Sequence, residues 1–236
     1  MLRPLSKAPP DTPRRATGRG PSAPRPTVLL TGFDAFDGAS ANPSWLVAAA
    51  LHRRQIAGHR IVAAQLPTVF DRSRKELAAL LKTHQPALVV CLGLARGRDA
   101  VSLERVAINV DDARIPDNSG RQPVDTPVLE GGPAAYFTSL PIKAMLQALR
   151  EGGVAAEVSQ TAGTFVCNHV FYALMHELAT RRSLRGARGG FVHLPYLPGQ
   201  GAPSMPLDEM VRAMGVALRC ALNTTVDVAL GAGAES

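Results

Sequence analysis

Residues 86–92, Pro-Ala-Leu-Val-Val-Cys-Leu, form an unbroken apolar run. A strand that reads this way has no polar face to offer water, so it must be covered on both sides. Similar runs recur along the chain, each followed by a stretch with helical signals. Thr27–Gly32 reads as a buried strand. Asn42-Pro43 then reads as a helix start, with Asn as N-cap and Pro at the first helical position, and the helix is expected to run to about Gln55. Arg60–Leu66 is the next strand and Asp71–Lys82 the next helix, with Leu77, Leu80 and Leu81 apolar.

Leu103–Val110 alternates weakly, as one further strand would. Asp111–Val128 is polar, rich in turn residues and too long for an ordinary connection, and long ordered loops are often functional. A helix over Leu140–Arg150, a strand over Ala155–Ser159, a helix after Cys167, a strand over Gly190–Leu194 and a helix from about Pro206 to Asn223 complete the pattern. Strands alternating with helices predict an α/β fold: a three-layer α/β/α sandwich around a mostly parallel, twisted central sheet.

The net charge of +7 suggests nucleic acid until it is located. Residues 1–26 hold six basic residues and one acid, a net of +5, which leaves only +2 for the rest of the chain. That segment also holds seven of the 19 prolines, and such a composition buries too little apolar surface to offset its ordering entropy. It is expected to be a disordered tail before a single domain over 27–236. The folded part has no basic stripe with interleaved aromatics, so no nucleic acid is expected to bind it. No apolar run reaches the roughly 18 residues of a membrane span, and the first residues lack the apolar central block of a secretory signal, so none is expected. Three widely spaced cysteines, Cys91, Cys167 and Cys220, with no Cys-x-x-Cys pair, argue against a disulfide framework or a metal site. A reducing cytoplasm is the expected setting. Cys91 and Cys220 read as structural.

Cys167 is placed differently. It falls at a loop-to-helix junction, before Val170, Phe171, Leu174, Met175 and Leu178, which recur at helical spacing. Unpaired N–H groups and the positive end of the helix dipole both favour a thiolate there. A cysteine nucleophile needs a base, and the base an orienting partner. Of six histidines, His193 stands at the end of a strand run, where α/β sheets gather ligand-binding groups. His169 ranks second, because residues two apart on a helix do not face each other. Glu104, Asp111, Asp112 and Asp117 are the carboxylate candidates.

Several stretches, taken in order, resemble the pyroglutamyl peptidases, a cysteine peptidase family. They are Thr31-Gly32-Phe33, Asn42-Pro43-Ser44-Trp45, Leu103 to Ala107, Asp112 to Asn118, Gly163 to His169 and His193 to Tyr196. The resemblance spans about residues 27 to 220. It implies an α/β/α fold and removal of an N-terminal pyroglutamyl residue from peptides, with no cofactor. It implies Cys167 as nucleophile, His193 as general base and acid, and Glu104 as the orienting carboxylate. The lactam pocket maps by the same resemblance to Phe33, Phe36, Asn42, Thr68, Ile115, Phe165 and Val166, with Arg114 close to the reacting carbonyl.

The chemistry is consistent with that assignment. A pyroglutamyl residue is a flat, uncharged lactam, so its site needs apolar walls and a few hydrogen bonds. Phe33 and Phe36 can supply walls, and the Asn42 amide can meet the ring. Two positions depart from the family pattern. Leu94 stands where relatives often have Gln, and Asp37 stands where glycine is commoner. A homo-oligomer is compatible with this reading. The rival reading is a catalytically silent lactam- or peptide-binding protein, which has no need of Cys167, His193 and Glu104 together.

Overall fold

The computed structural model describes residues 25–233, and the tail expected over 1–26 lies almost entirely outside them. Pro26 accepts the Arg60 N–H at 3.0 Å through its carbonyl. The strands are β1 (Thr27–Phe33), β2 (Gln55–Ile56), β3 (His59–Leu66), β4 (Leu88–Leu94), β5 (Val101–Glu104), β6 (Val106–Ile108), β7 (Ala135–Phe137), β8 (Ala156–Ser159) and β9 (Arg188–Leu194). The helices are α1 (Pro43–Leu51), α2 (Phe70–His84), α3 (Ile142–Glu151), α4 (Val166–Thr180) and α5 (Leu207–Asn223).

Seven strands form the central sheet in the order β2-β3-β1-β4-β9-β5-β8. Its middle, β3-β1-β4-β9, is parallel, and β5 turns antiparallel to β9 while carrying β8 parallel to itself. The side-chain alternation of β4 divides the core. Leu88, Val90 and Leu92 pack with α1, α3 and α5, whereas Val89 and Cys91 pack with α2 and α4. The apolar run of β4 is therefore covered on both faces, in the three layers expected.

Two expectations need correction. Helix α1 ends at Leu51 and not near Gln55, because Arg53 turns left-handed and Gln55–Ile56 pairs with β3 across Ala57-Gly58. Both turn residues have positive φ, the conformation of a tight hairpin, and a two-residue strand is too short to show a period. The run 103–110 is not one strand. It breaks at Arg105, with β5 staying in the main sheet and β6 pairing with β7 in a separate two-stranded sheet. Strand β7 had no sequence signal of its own.

The long polar segment after residue 110 is ordered. Asp111 and Thr126 bridge across it. Asp117 accepts the Phe70 N–H at the start of α2, and its other oxygen takes the Ser119 and Arg121 N–H groups and the Ser119 hydroxyl. Burial alone would raise the Asp117 carboxyl, but these bonds outweigh it and hold it low. Asp117 is thus committed to the turn and the helix start.

Candidate active site

Three elements on the α4 face of the sheet converge at the carboxyl ends of β4 and β9. His193 has the same strand parity as Phe191, which packs in the α2/α4 core, so its ring emerges on that face, 4.8 Å from the Phe191 ring. Ser102 of β5 lies opposite His193, which brings Glu104, two residues on, to the same face. His193 Nδ1 lies 2.7 Å from Glu104 Oε1. Glu104 is fully buried and His193 is 4% exposed.

Cys167 enters from above, one residue into α4. The N-cap position is Phe165 and no side chain caps the helix, so its first-turn N–H groups are left for a ligand. The thiol packs against β4 at Gly93, which pairs in register with His193. A β-carbon at Gly93 would meet Cys167 Sγ at 2.9 Å and Phe191 Cζ at 2.8 Å. Only glycine allows this approach.

Electrostatics modify the expectation for Cys167. Burial pushes the thiol up to about 12, negative Glu104 pushes the same way, and Arg98 opposes. The residue as a whole is only partly buried, so water tempers the shift, but the direction leaves a protonated thiol at neutral pH. The helix terminus does not by itself give a resting thiolate. Glu104 goes the other way. Burial would raise it, but the His193 hydrogen bond and charge, the Ser159 hydroxyl and Arg98 together lower it. Arg98 lowers it least. The Ser159 hydroxyl acts without a direct bond, since it donates to Thr161 O at 3.0 Å and Glu104 Oε2 has no partner.

A cavity of about 230 Å³ is lined by Phe36, Leu94, Arg96, Asp112, Arg114, Ile115, Thr164 and Phe165; Leu94 follows the Gly93 on which the thiol packs, and Phe165 is the N-cap of the Cys167 helix. The Phe36 and Phe165 rings stand 6.3 Å apart. Four of the expected pocket residues, Phe36, Arg114, Ile115 and Phe165, therefore line it. The other four lie buried behind: Phe33 packs on Phe191, Val166 is in the α4 core, and Asn42 and Thr68 hold loops. Asn42 accepts from the Ser44 N–H and hydroxyl and donates to Asp34 O. Asp34 Oδ1 in turn accepts from Thr68 N at 2.7 Å and from Asn118 Nδ2 at 3.3 Å. Asp34 is a hub that sequence reasoning did not single out.

Two arginines were also missed. Arg96 pairs with Asp37 at 2.7 Å and stacks 5.0 Å from the Phe36 ring centre. Arg98 donates to Glu104 Oε1 at 2.7 Å. Their signal lay in the short polar run after β4, a strand end where ligand-facing residues gather. His169, the second-ranked base, bonds Asp111 Oδ2 at 2.8 Å and lies edge-on to Phe70. That pair ties α4 to the 111–128 segment. Among the described residues no His, Cys, Asp and Glu cluster could hold a metal ion, and no helix is long and apolar enough to cross a membrane.

The chain matches the family model described as pyroglutamyl peptidase over residues 26–224. It is 54% identical to a pyrrolidone-carboxylate peptidase of Klebsiella pneumoniae over 212 residues, covering 88% of this chain and 98% of that one. A similar relative from Cupriavidus taiwanensis is 54% identical over 208 residues, covering 86% of this chain and 96% of that one. Among solved structures, pyroglutamyl peptidase I of Bacillus amyloliquefaciens superposes with a TM-score of 0.85 at 45% identity, covering 88% of this chain and all of that one. Pyrrolidone carboxyl peptidase of Thermococcus litoralis gives 0.82 at 34% identity, covering 87% of this chain and 100% of the other.

Proposed function

The chain belongs to the pyroglutamyl peptidase family, and from that premise we propose that it cleaves an N-terminal pyroglutamyl residue from peptides by cysteine catalysis. The observation that carries the mechanism is the Glu104–His193 bond, set at the strand ends where Cys167 lies against Gly93. Ionised Glu104 can only accept, so His193 carries its proton on Nδ1 and leaves Nε2 as the base.

As Cys167 Sγ attacks the pyroglutamyl carbonyl carbon, His193 takes the thiol proton. Because burial raises the thiol, Sγ needs this base to take its proton. The oxyanion is held by the first-turn N–H groups of α4, with Arg114 beside the cavity. Collapse breaks the C–N bond, and the amine leaves with the proton from His193. The resulting thioester is attacked by water, which gives its proton to His193. Expulsion of the sulfur releases pyroglutamate, and the proton returns to Cys167.

The cavity supports the lactam specificity, with Phe36, Phe165, Ile115 and Leu94 as apolar walls. In this reading Asn42 and Thr68 serve by fixing the loop that carries Phe36. We place the activity in a single domain over 27–236. We assign it to a reducing, cytoplasmic setting, which suits three free cysteines. The test is hydrolysis of a chromogenic pyroglutamyl amide beside prolyl and glutamyl amides. Turnover of the first alone supports the proposal. Binding of the pyroglutamyl amide with no turnover points instead to a silent binding protein.

A further inference from the structure

Arg98 stands outside the three groups assigned to catalysis, yet it touches two of the segments that assemble them. Its Nη1 donates to Glu104 Oε1 at 2.7 Å, the same oxygen that meets His193 Nδ1 at 2.7 Å. Its Nη2 donates to Thr161 O at 3.0 Å, in the segment that leads into Cys167. The Glu104 side chain is fully buried and that of Arg98 is 26% exposed. Oε2 of Glu104 is buried without a partner, so both side-chain hydrogen bonds to this charge meet at one oxygen.

We propose that Arg98 is a positioning residue for the reaction: it acts through Glu104 to set the state of His193, and it ties that carboxylate to the segment delivering Cys167. The inference rests on the proposed peptidase mechanism.

Charge arithmetic gives the consequence. A buried carboxylate with a single imidazole partner favours the imidazolium, because a lone charge in a dry site seeks neutralisation. A base must start neutral to take the thiol proton. The Arg98 guanidinium shares the Glu104 charge and so releases His193 from that demand. Arg96, Asp112 and Arg114 line the cavity, and three further ionisable groups stand around the pair. Glu157 of β8 accepts the Ser102 hydroxyl at 2.7 Å, Cys167 comes from α4, and Cys91 lies buried in β4. Of these three Glu157 is the only carboxylate, and it acts in the same direction as Glu104.

The second buried histidine pair sharpens the contrast. His169 and Asp111 also meet, at 2.8 Å, on the same side of the sheet. Among the described residues no guanidinium bonds Asp111. A His–carboxylate contact that only joins elements needs no shared cation.

The test compares wild type, Arg98→Met and Arg98→Lys by pH profile and by NMR titration of the His193 ring, assigned with His193→Gln. Arg98→Met is expected to lower kcat roughly tenfold or more with a smaller change in KM. Its acid limb and its His193 titration should move up by about one pH unit. Arg98→Lys keeps the charge and loses the second arm, so it should restore the titration but not the full kcat. An unchanged His193 midpoint in both variants overturns the proposal, as does full kcat in Arg98→Lys if Arg98→Met fails to fold. Wild type inactive on pyroglutamyl amides would sink the peptidase reading instead, and the ring titration would still decide the role of Arg98.

Discussion

The thiol of Cys167 rests on the bare backbone of Gly93, so close that a β-carbon there would lie 2.9 Å from its sulfur. The same carbon would meet the buried Phe191 ring at 2.8 Å. Gly93→Ala is therefore expected to push both aside, costing on the order of 1–3 kcal/mol by overpacking. Activity should fall more than stability, because a displaced nucleophile loses its alignment. Steady-state kinetics beside urea unfolding checks this, and unchanged kcat would mean that the sulfur has room to spare.

Phe36 forms a wall of the cavity and supports Arg96, which pairs with Asp37 at its rim. Phe36→Ala should raise KM and cost about 1–3 kcal/mol in kcat/KM. Leu94 also lines the cavity, and Leu94→Gln should lower KM by giving the lactam a hydrogen-bond partner. Kinetics on a pyroglutamyl amide measures both. No change in either variant would place the lactam elsewhere.

Cys167→Ala and His193→Ala should each cut turnover by roughly a thousandfold or more while the protein stays folded. Glu104→Gln should retain part of the activity, since an amide can hold the ring but stabilises an imidazolium less well. Circular dichroism and turnover together check the set. Equal loss in all three would assign Glu104 more than an orienting role.

Much of this arrangement was legible in the sequence because it is local. The uninterrupted run of β4 required cover on both faces, and Asn42-Pro43 marked the start of α1, which the structure shows with Asn42 as N-cap. Cys167 stood at a helix start because α4 carries its own apolar period. The remainder depends on contacts between distant segments. Arg98 meets Thr161 O across 63 residues and reaches Glu104 around a turn at Gly97, where φ is +79°. The break at Arg105 leaves no period to read, because its N–H goes to Ser159 O and its carbonyl to Thr138 N. Asn42 was read as able to meet the lactam, since an amide near a pocket gives no hint in sequence that local bonds already use it.

Alkaline stability should depend on Cys91. Burial pushes this thiol up to about 12, and it is fully buried. An unfolded thiol titrates near about 8.5. Between those values the unfolded chain sheds a proton that the native state keeps. Stability is thus intact below the lower value and falls as pH rises, by about 1.4 kcal/mol per pH unit for one thiol. Partly exposed Cys167 should add less. Urea unfolding at rising alkaline pH should show a shallower decline for Cys91→Ala than for wild type. Parallel declines would show that the buried thiol ionises in place.

The central claim is that Cys167 is the nucleophile beside the lactam cavity. Alkylation of the native protein followed by mass mapping tests it most directly, with activity sampled in parallel and a pyroglutamyl ligand as protectant. Cys91 is buried in the sheet, and Cys220 of α5 contacts Oγ1 of the C-cap Thr224 at 3.7 Å. With His193 to take the proton of its raised thiol, Cys167 should be labelled first, in step with loss of turnover, and the ligand should slow both. Activity loss that tracks labelling of Cys91 or Cys220, with Cys167 untouched, would contradict the mechanism.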